Sequence, residues 1–370
     1  MDPKQEKKFT TIHYHAYLEL DKILDAQHPR SEVKGEIPAH EEMLFIVVHQ
    51  VYELWFKQIL HELSSLMEMF ENDRVDERNT GTAVARLDRI IEIMELLIQQ
   101  IRVLETMTPL DFLDFRGYLF PASGFQSFQF RMVENMLGLP RDQRMTYNQA
   151  EFDIVFTEAQ KERLRKVENG GTLFNLVEAW LERTPFLEFR NFSFLSLYEA
   201  AVQRMLEKER TAILQSEYLL PESREIRLRV LDSTAQYYQN VFDPKRHEEL
   251  KASGELRLSY KATLAALLIK LYRDEPILQM PFNLLGRLTD LDELLTTWRY
   301  RHAQMVLRML GKKVGTGGSS GHDYLQQTAA KHHIFKDLHN VSTLLIPRSE
   351  LPPLPEEVKR ELGFFFTQQV

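Results

Sequence analysis

Apolar side chains run almost unbroken from Met43 to Phe56, then thin to a stripe at Ile59, Leu60, Leu63, Leu66, Met67 and Phe70. The first half is the pattern of a helix buried on most sides and the second that of an amphipathic one, so one long helix is predicted over His40–Asn72. The same spacing predicts a long helix from Thr82 to Thr106, an apolar one from Ser259 to Tyr272, and another from Pro281 to Leu310 with a possible bend at Gly286. Gly311 closes the last of these. Shorter or more polar helices are predicted at Leu173–Arg183, ended by Thr-Pro, and from Tyr324 to about His339. Two charged helices, about Phe194 to Gln215 and Pro221 to Asn240, flank the break SEYLLP and suit an antiparallel hairpin. The first segment, Phe9 to Leu24, carries Tyr14 and Tyr17 three apart, and the tail IPRSELPPLPEE is Pro-rich before a short final helix. No run alternates convincingly as a strand and no period recurs. The prediction is an all-α fold without significant sheet, in which 1–139 and 254–370 form the two parts of one domain and 140–253 is a peripheral helical insertion.

Composition narrows the chemistry. The chain has 370 residues, 44% of them hydrophobic and 27% charged, enough for a sizeable core. No apolar run reaches the length of a membrane span, and MDPKQEKKF has no signal-peptide core, so a cytoplasmic protein without a membrane partner is expected. A net charge of −8 argues against a nucleic-acid surface. The absence of cysteine excludes disulfides, zinc–thiolate sites, iron–sulfur clusters, thiolate-ligated haem and cysteine nucleophiles. Any metal chemistry must therefore rest on the 12 histidines and the carboxylates, which show no HExxH pattern. The adjacent His332 and His333 diverge on a helix and read as surface residues.

Four features carry candidate chemistry. His49 sits in the dry half of its helix and shares a face with Phe45, Tyr52 and Phe56. It is either a core histidine satisfied by a carbonyl or tyrosine, or an imidazole facing a ligand. His302 shares a face with Trp298, with Met305 and Val306 one turn on. A flat apolar cofactor between two helices would use both histidines, one as axial ligand and one across its open face, as haem requires when no thiolate is available. Between Pro109 and Gly138, six phenylalanines and one tyrosine surround Arg116, whose partner is either an internal carboxylate or that of a ligand. The loop GTGGSSG at 315–321 follows no strand and lacks a P-loop lysine, so closure over a small polar ligand fits it better than nucleotide binding.

The chain resembles the tryptophan 2,3-dioxygenase family over nearly its whole length. The resemblance rests on FIVVHQVYELWFKQIL at 45–60, LETMTPLDFLDFR at 104–116, SGFQSFQFR at 123–131, LVEAWLERTP at 176–185 and WRYRHAQMVLRMLGKKVGTGGSSG at 298–321. It implies a haem dioxygenase that cleaves the indole 2,3 double bond of L-tryptophan with O2 to give N-formyl-L-kynurenine, the first step of tryptophan catabolism by the kynurenine pathway. One haem b per subunit, ferrous in the active form, is implied, with His302 as the axial iron ligand and Trp298, Gly124 and Tyr324 beside the cofactor. His49 becomes the catalytic distal histidine, orienting the ring through the indole N–H. Phe45, Ile46, Val47, Val48, Phe112 and Leu119 form the wall against the indole, Ser123 lines the pocket, and Arg116 and Thr316 hold the amino-acid end. Tyr14 and Tyr17 reach in from a neighbouring subunit of a homotetramer built as a dimer of dimers. Position 112 is phenylalanine here, so no aromatic hydroxyl from it takes part. An indoleamine 2,3-dioxygenase-like enzyme and a non-catalytic helical haem- or indole-binding protein are the alternatives.

Overall fold

Three long helices carry the scaffold, and their buried positions repeat at three and four residues because only that spacing keeps one face inward. In the computed structural model, which describes residues 11–34, 37–71, 77–141, 143–144, 155–184, 187–189, 192–311, 313 and 321–362, the first of them is Glu41–Phe70. It buries Val48, Tyr52, Phe56, Ile59, Leu63, Leu66 and Phe70. The second, Glu77–Leu104, answers with Leu87, Ile90, Met94, Leu97 and Ile101. It packs against both the first and the third, Pro276–Leu310. Two side-chain bonds fix the first pair near His49. The Tyr52 hydroxyl donates to the Leu97 carbonyl at 2.6 Å, and Gln100 Nε2 donates to the Val48 carbonyl at 2.9 Å.

The third helix starts five residues earlier than its sequence pattern predicts. Pro276 occupies a first-turn position, where a missing N–H costs nothing, and the helix runs on through Pro281 and Gly286. Tyr260–Leu271, capped by Ser259, is buried nearly all round and lies against the Leu173–Glu182 helix. Leu173, Phe174, Val177 and Leu181 join the same hydrophobic cluster as the three long helices. The charged pair is Phe194–Gln215 with Pro221–Phe242, which pack together. Phe194, Tyr198, Ala201 and Val202 root the first of them in the core, and the Tyr198 hydroxyl donates to the Leu344 carbonyl at 2.6 Å. The fold is all-α. Among the described residues the only sheet is the two-residue pairing of Glu188–Phe189 with Phe192–Ser193.

The first segment and one predicted helix are each divided. The first segment forms Tyr14–Tyr17 and Leu20–Leu24, separated at Glu19, which takes a left-handed conformation at φ 51°. The stretch from Tyr324 divides into Gly321–Lys331 and Lys336–Asn340. Asp292 Oδ1 accepts from the Ile334 amide at 2.8 Å, which draws the intervening chain onto the third helix. His332 consequently turns inward and is 2% exposed, so the surface position expected for it is wrong. No helix among the described residues is long and apolar enough to cross a membrane.

Candidate functional site

His49 and His302 come from different long helices and line one cavity of about 190 Å3. Phe45, Phe112, Leu119, Met305, Val306 and Leu325 supply apolar wall, with Ser123 and Gly124 between. Phe45 and His49 are one helical turn apart, so both turn to the cavity, and their ring centroids lie 4.0 Å apart. Phe45 also packs on Phe112 at 5.8 Å and on the fully buried Phe115 at 5.5 Å.

The polar atoms of His49 are divided between two tasks. Nδ1 lies 2.7 Å from the Phe45 carbonyl, an acceptor, so Nδ1 carries the proton and donates. Burial lowers the pKa of the ring, favouring the neutral form. Neutral and protonated at Nδ1, the ring keeps Nε2 as a hydrogen-bond acceptor.

His302 is stacked on Trp298, with centroids 5.4 Å apart and planes 22° from parallel. Trp298 is itself held by Phe130 at 4.9 Å and by the edges of Tyr52 and Phe56. Burial, with a smaller contribution from His49, pushes the His302 pKa down to about 4. An imidazole that is neutral at ordinary pH offers a lone pair to a metal. Unfolded, the same histidine titrates near 6.5 and binds the proton that the fold refuses. The cofactor-free protein should therefore lose stability as pH falls from about 6.5 toward about 4, with full stability above that window. Denaturant midpoints measured across it should fall less steeply for His302→Ala than for wild type, and parallel curves would contradict the assignment.

Arg116 reaches the cavity from the Pro109–Leu119 helix, beside Phe112 and Leu119 at helical spacing. That helix is set by a capping box, in which Thr108 Oγ1 accepts from the Asp111 amide and the Asp111 carboxylate accepts from the Thr108 amide. A second box, Ser123 with Gln126, sets the turn carrying Ser123 and Gly124. The neighbouring Arg301 pairs with Glu105 at 3.2 Å.

A smaller lobe of about 50 Å3 shares Gly124, Phe125, His302 and Leu325 with the main cavity. Trp298, Tyr324 and His332 line it, and so do three residues that the sequence did not single out, Arg131, Glu134 and Arg299. A charged pair three apart inside the apolar stretch FQFRMVENML was the available signal for the first two.

Not every expected residue arrives. Ile46, Val47 and Val48 do not line the cavity. Val48 points into the core at 4% exposure and Val47 outward at 40%, because residues one to three along from Phe45 project to other faces of the same helix. Tyr14 and Tyr17, at 74% and 70% exposed, lie outside the cavity of their own chain. Thr316 and positions 315–320 of the glycine loop fall outside the described residues.

The family described as tryptophan 2,3-dioxygenase matches residues 2–345. The tryptophan 2,3-dioxygenase of Bdellovibrio bacteriovorus is 50% identical over 97% of this chain and 100% of its own. Those of Dictyostelium discoideum and Xenopus tropicalis are 46% and 50% identical over 95% and 94% of this chain, and over 88% and 86% of theirs.

Proposed function

The chain belongs to the tryptophan 2,3-dioxygenase family, and on that premise we propose that it cleaves the indole 2,3 double bond of L-tryptophan with O2, giving N-formyl-L-kynurenine, at a haem held by His302. The observation that carries this reading is the pair of imidazoles on one apolar cavity, His302 stacked on Trp298 and His49 with its Nδ1 committed to the Phe45 carbonyl.

The residues present suit haem. The His302 ring is held neutral by burial, makes no hydrogen bond among the described residues, and stands between an aromatic stack and apolar walls, surroundings in which it would hold haem iron in a protein without cysteine. Bound ferrous haem would supply the binding and activation of O2.

The rest of the chemistry falls to this chain's side chains. His49 Nε2 accepts the indole N–H and sets the angle of the ring; Phe45 and Phe112 hold the ring's faces, and their apolar surfaces keep water from the reacting bond. Since position 112 is phenylalanine, it contributes packing and no proton. The forked guanidinium of Arg116 receives the substrate carboxylate. Thr316 is assigned to the amino-acid end on the family resemblance. Tyr14 and Tyr17, exposed at the start of the chain, are assigned to a neighbour's site in a homotetramer.

Adding L-tryptophan to the reduced protein should start O2 uptake. Methylation of the indole nitrogen removes the donor that His49 accepts from, at a cost of about 1 kcal/mol or more. Wild type should therefore turn over 1-methyltryptophan at least several-fold less efficiently than tryptophan. His49→Ala should keep its haem and lose most of that preference. Equal efficiency on the two substrates in wild type would refute the hydrogen-bond role.

A further inference from the structure

The small lobe beside His302 is walled by charged side chains where apolar residues would pack at lower cost. Glu134, 1% exposed, accepts from Arg131 Nη1 at 2.8 Å on one oxygen and from Arg299 Nη2 at 2.9 Å on the other. Arg299, 3% exposed, also donates to the His332 carbonyl at 2.9 Å. Arg299 lies three residues before His302 on the same helix, so it shares the imidazole's side of that helix. The cluster ties this helix to Phe128–Leu137, which bears Arg131 and Glu134. The Tyr324 hydroxyl stands against Arg131, and the His332 ring lies 3.8 Å from Glu134. Burial lowers the pKa of that ring, whereas the nearby guanidinium groups, Arg131 first, hold the Glu134 carboxyl well below the usual carboxylate range, and Glu134 in turn raises Arg131.

A buried ion cluster seldom adds net stability over apolar residues of the same volume, so its position beside a candidate iron ligand calls for another reason. Counting the charged groups on the lobe among the described residues gives two guanidinium groups against one carboxylate. The lobe that adjoins His302 therefore carries a net positive field in a region of low dielectric.

We propose that Arg131, Glu134 and Arg299 are positioning residues that set the charge beside His302 and bias the iron it would hold toward the ferrous state. The surplus positive charge disfavours the extra charge of ferric iron, and the Glu134 bridge fixes how large the surplus is. The inference rests on the haem reading above.

The sign of the effect provides the test. Removing the carboxylate in Glu134→Gln enlarges the surplus and should raise the ferric/ferrous midpoint potential, whereas Arg299→Gln should lower it. Each shift is expected to be about tenfold in the ferrous-to-ferric ratio at fixed poise, ~59 mV for one electron. Arg299→Lys keeps the charge and should stay close to wild type. Spectroelectrochemical titration of the reconstituted holoprotein reads these values without reference to turnover. Shifts of one sign in both glutamine variants, as loosened packing would give, overturn the proposal, as does no shift in haem-loaded protein. Should Glu134→Gln fail to fold, Arg131→Gln must lower the potential while Arg299→Lys leaves it unchanged, and any other pattern overturns the proposal equally. A wild-type protein that takes up no haem removes the haem reading itself and this inference with it.

Discussion

His302→Ala should purify as a folded protein that retains essentially no haem. Truncating the imidazole costs the fold little, because the ring makes no hydrogen bond among the described residues and faces a cavity. It costs the cofactor its ligand. The other imidazole on the cavity, His49, has Nδ1 committed to the Phe45 carbonyl and is fixed on a different helix. Trp298, braced by Phe130, Tyr52 and Phe56, should hold the space open, so added imidazole should restore part of the haem binding. Haem content by absorbance, with and without imidazole, checks both statements. Wild-type content and an unchanged ferrous spectrum in the mutant would overturn the ligand assignment.

The second large effect belongs to Arg116. Tryptamine has the indole and the amine of tryptophan but no carboxylate for the Arg116 guanidinium to receive. Losing one member of a charge-assisted hydrogen-bonded pair inside the site costs roughly 2 to 5 kcal/mol. In kcat/KM that is on the order of thirty-fold to several thousand-fold against tryptamine in wild type. Arg116→Lys should also be poor on tryptophan, since an ammonium group cannot offer the two parallel donors of the fork. Steady-state rates on the two substrates for both proteins decide the matter. Comparable turnover of tryptamine and tryptophan by wild type would mean that Arg116 does not read the carboxylate.

Arg116 was visible in the sequence because an arginine among phenylalanines breaks the local pattern, and His302 because helical spacing puts it on one face with Trp298, Met305 and Val306. The long helices were equally legible, since their apolar spacing is set by the helix itself. What stayed hidden depends on contacts between distant segments. The turn that buries His332 depends on a hydrogen bond from the Ile334 amide to Asp292, 42 residues earlier. The Arg131–Glu134–Arg299 cluster likewise joins residues 165 apart. Ile46, Val47 and Val48 teach a different lesson. They entered the expected substrate wall as part of a contiguous motif inferred from family resemblance, whereas helical periodicity applied to the same four-residue step from Phe45 to His49 keeps only its two ends.

The reaction proposed for this cavity inserts both atoms of one O2 molecule into L-tryptophan. Reduced holoprotein turning over L-tryptophan under isotopically heavy O2 in ordinary water tests it directly, with mass spectrometry of the product quenched before its oxygens can exchange with solvent. N-formyl-L-kynurenine carrying two heavy oxygen atoms is the predicted result. A product carrying one heavy atom or none, or no ring cleavage by a haem-loaded protein, would contradict it.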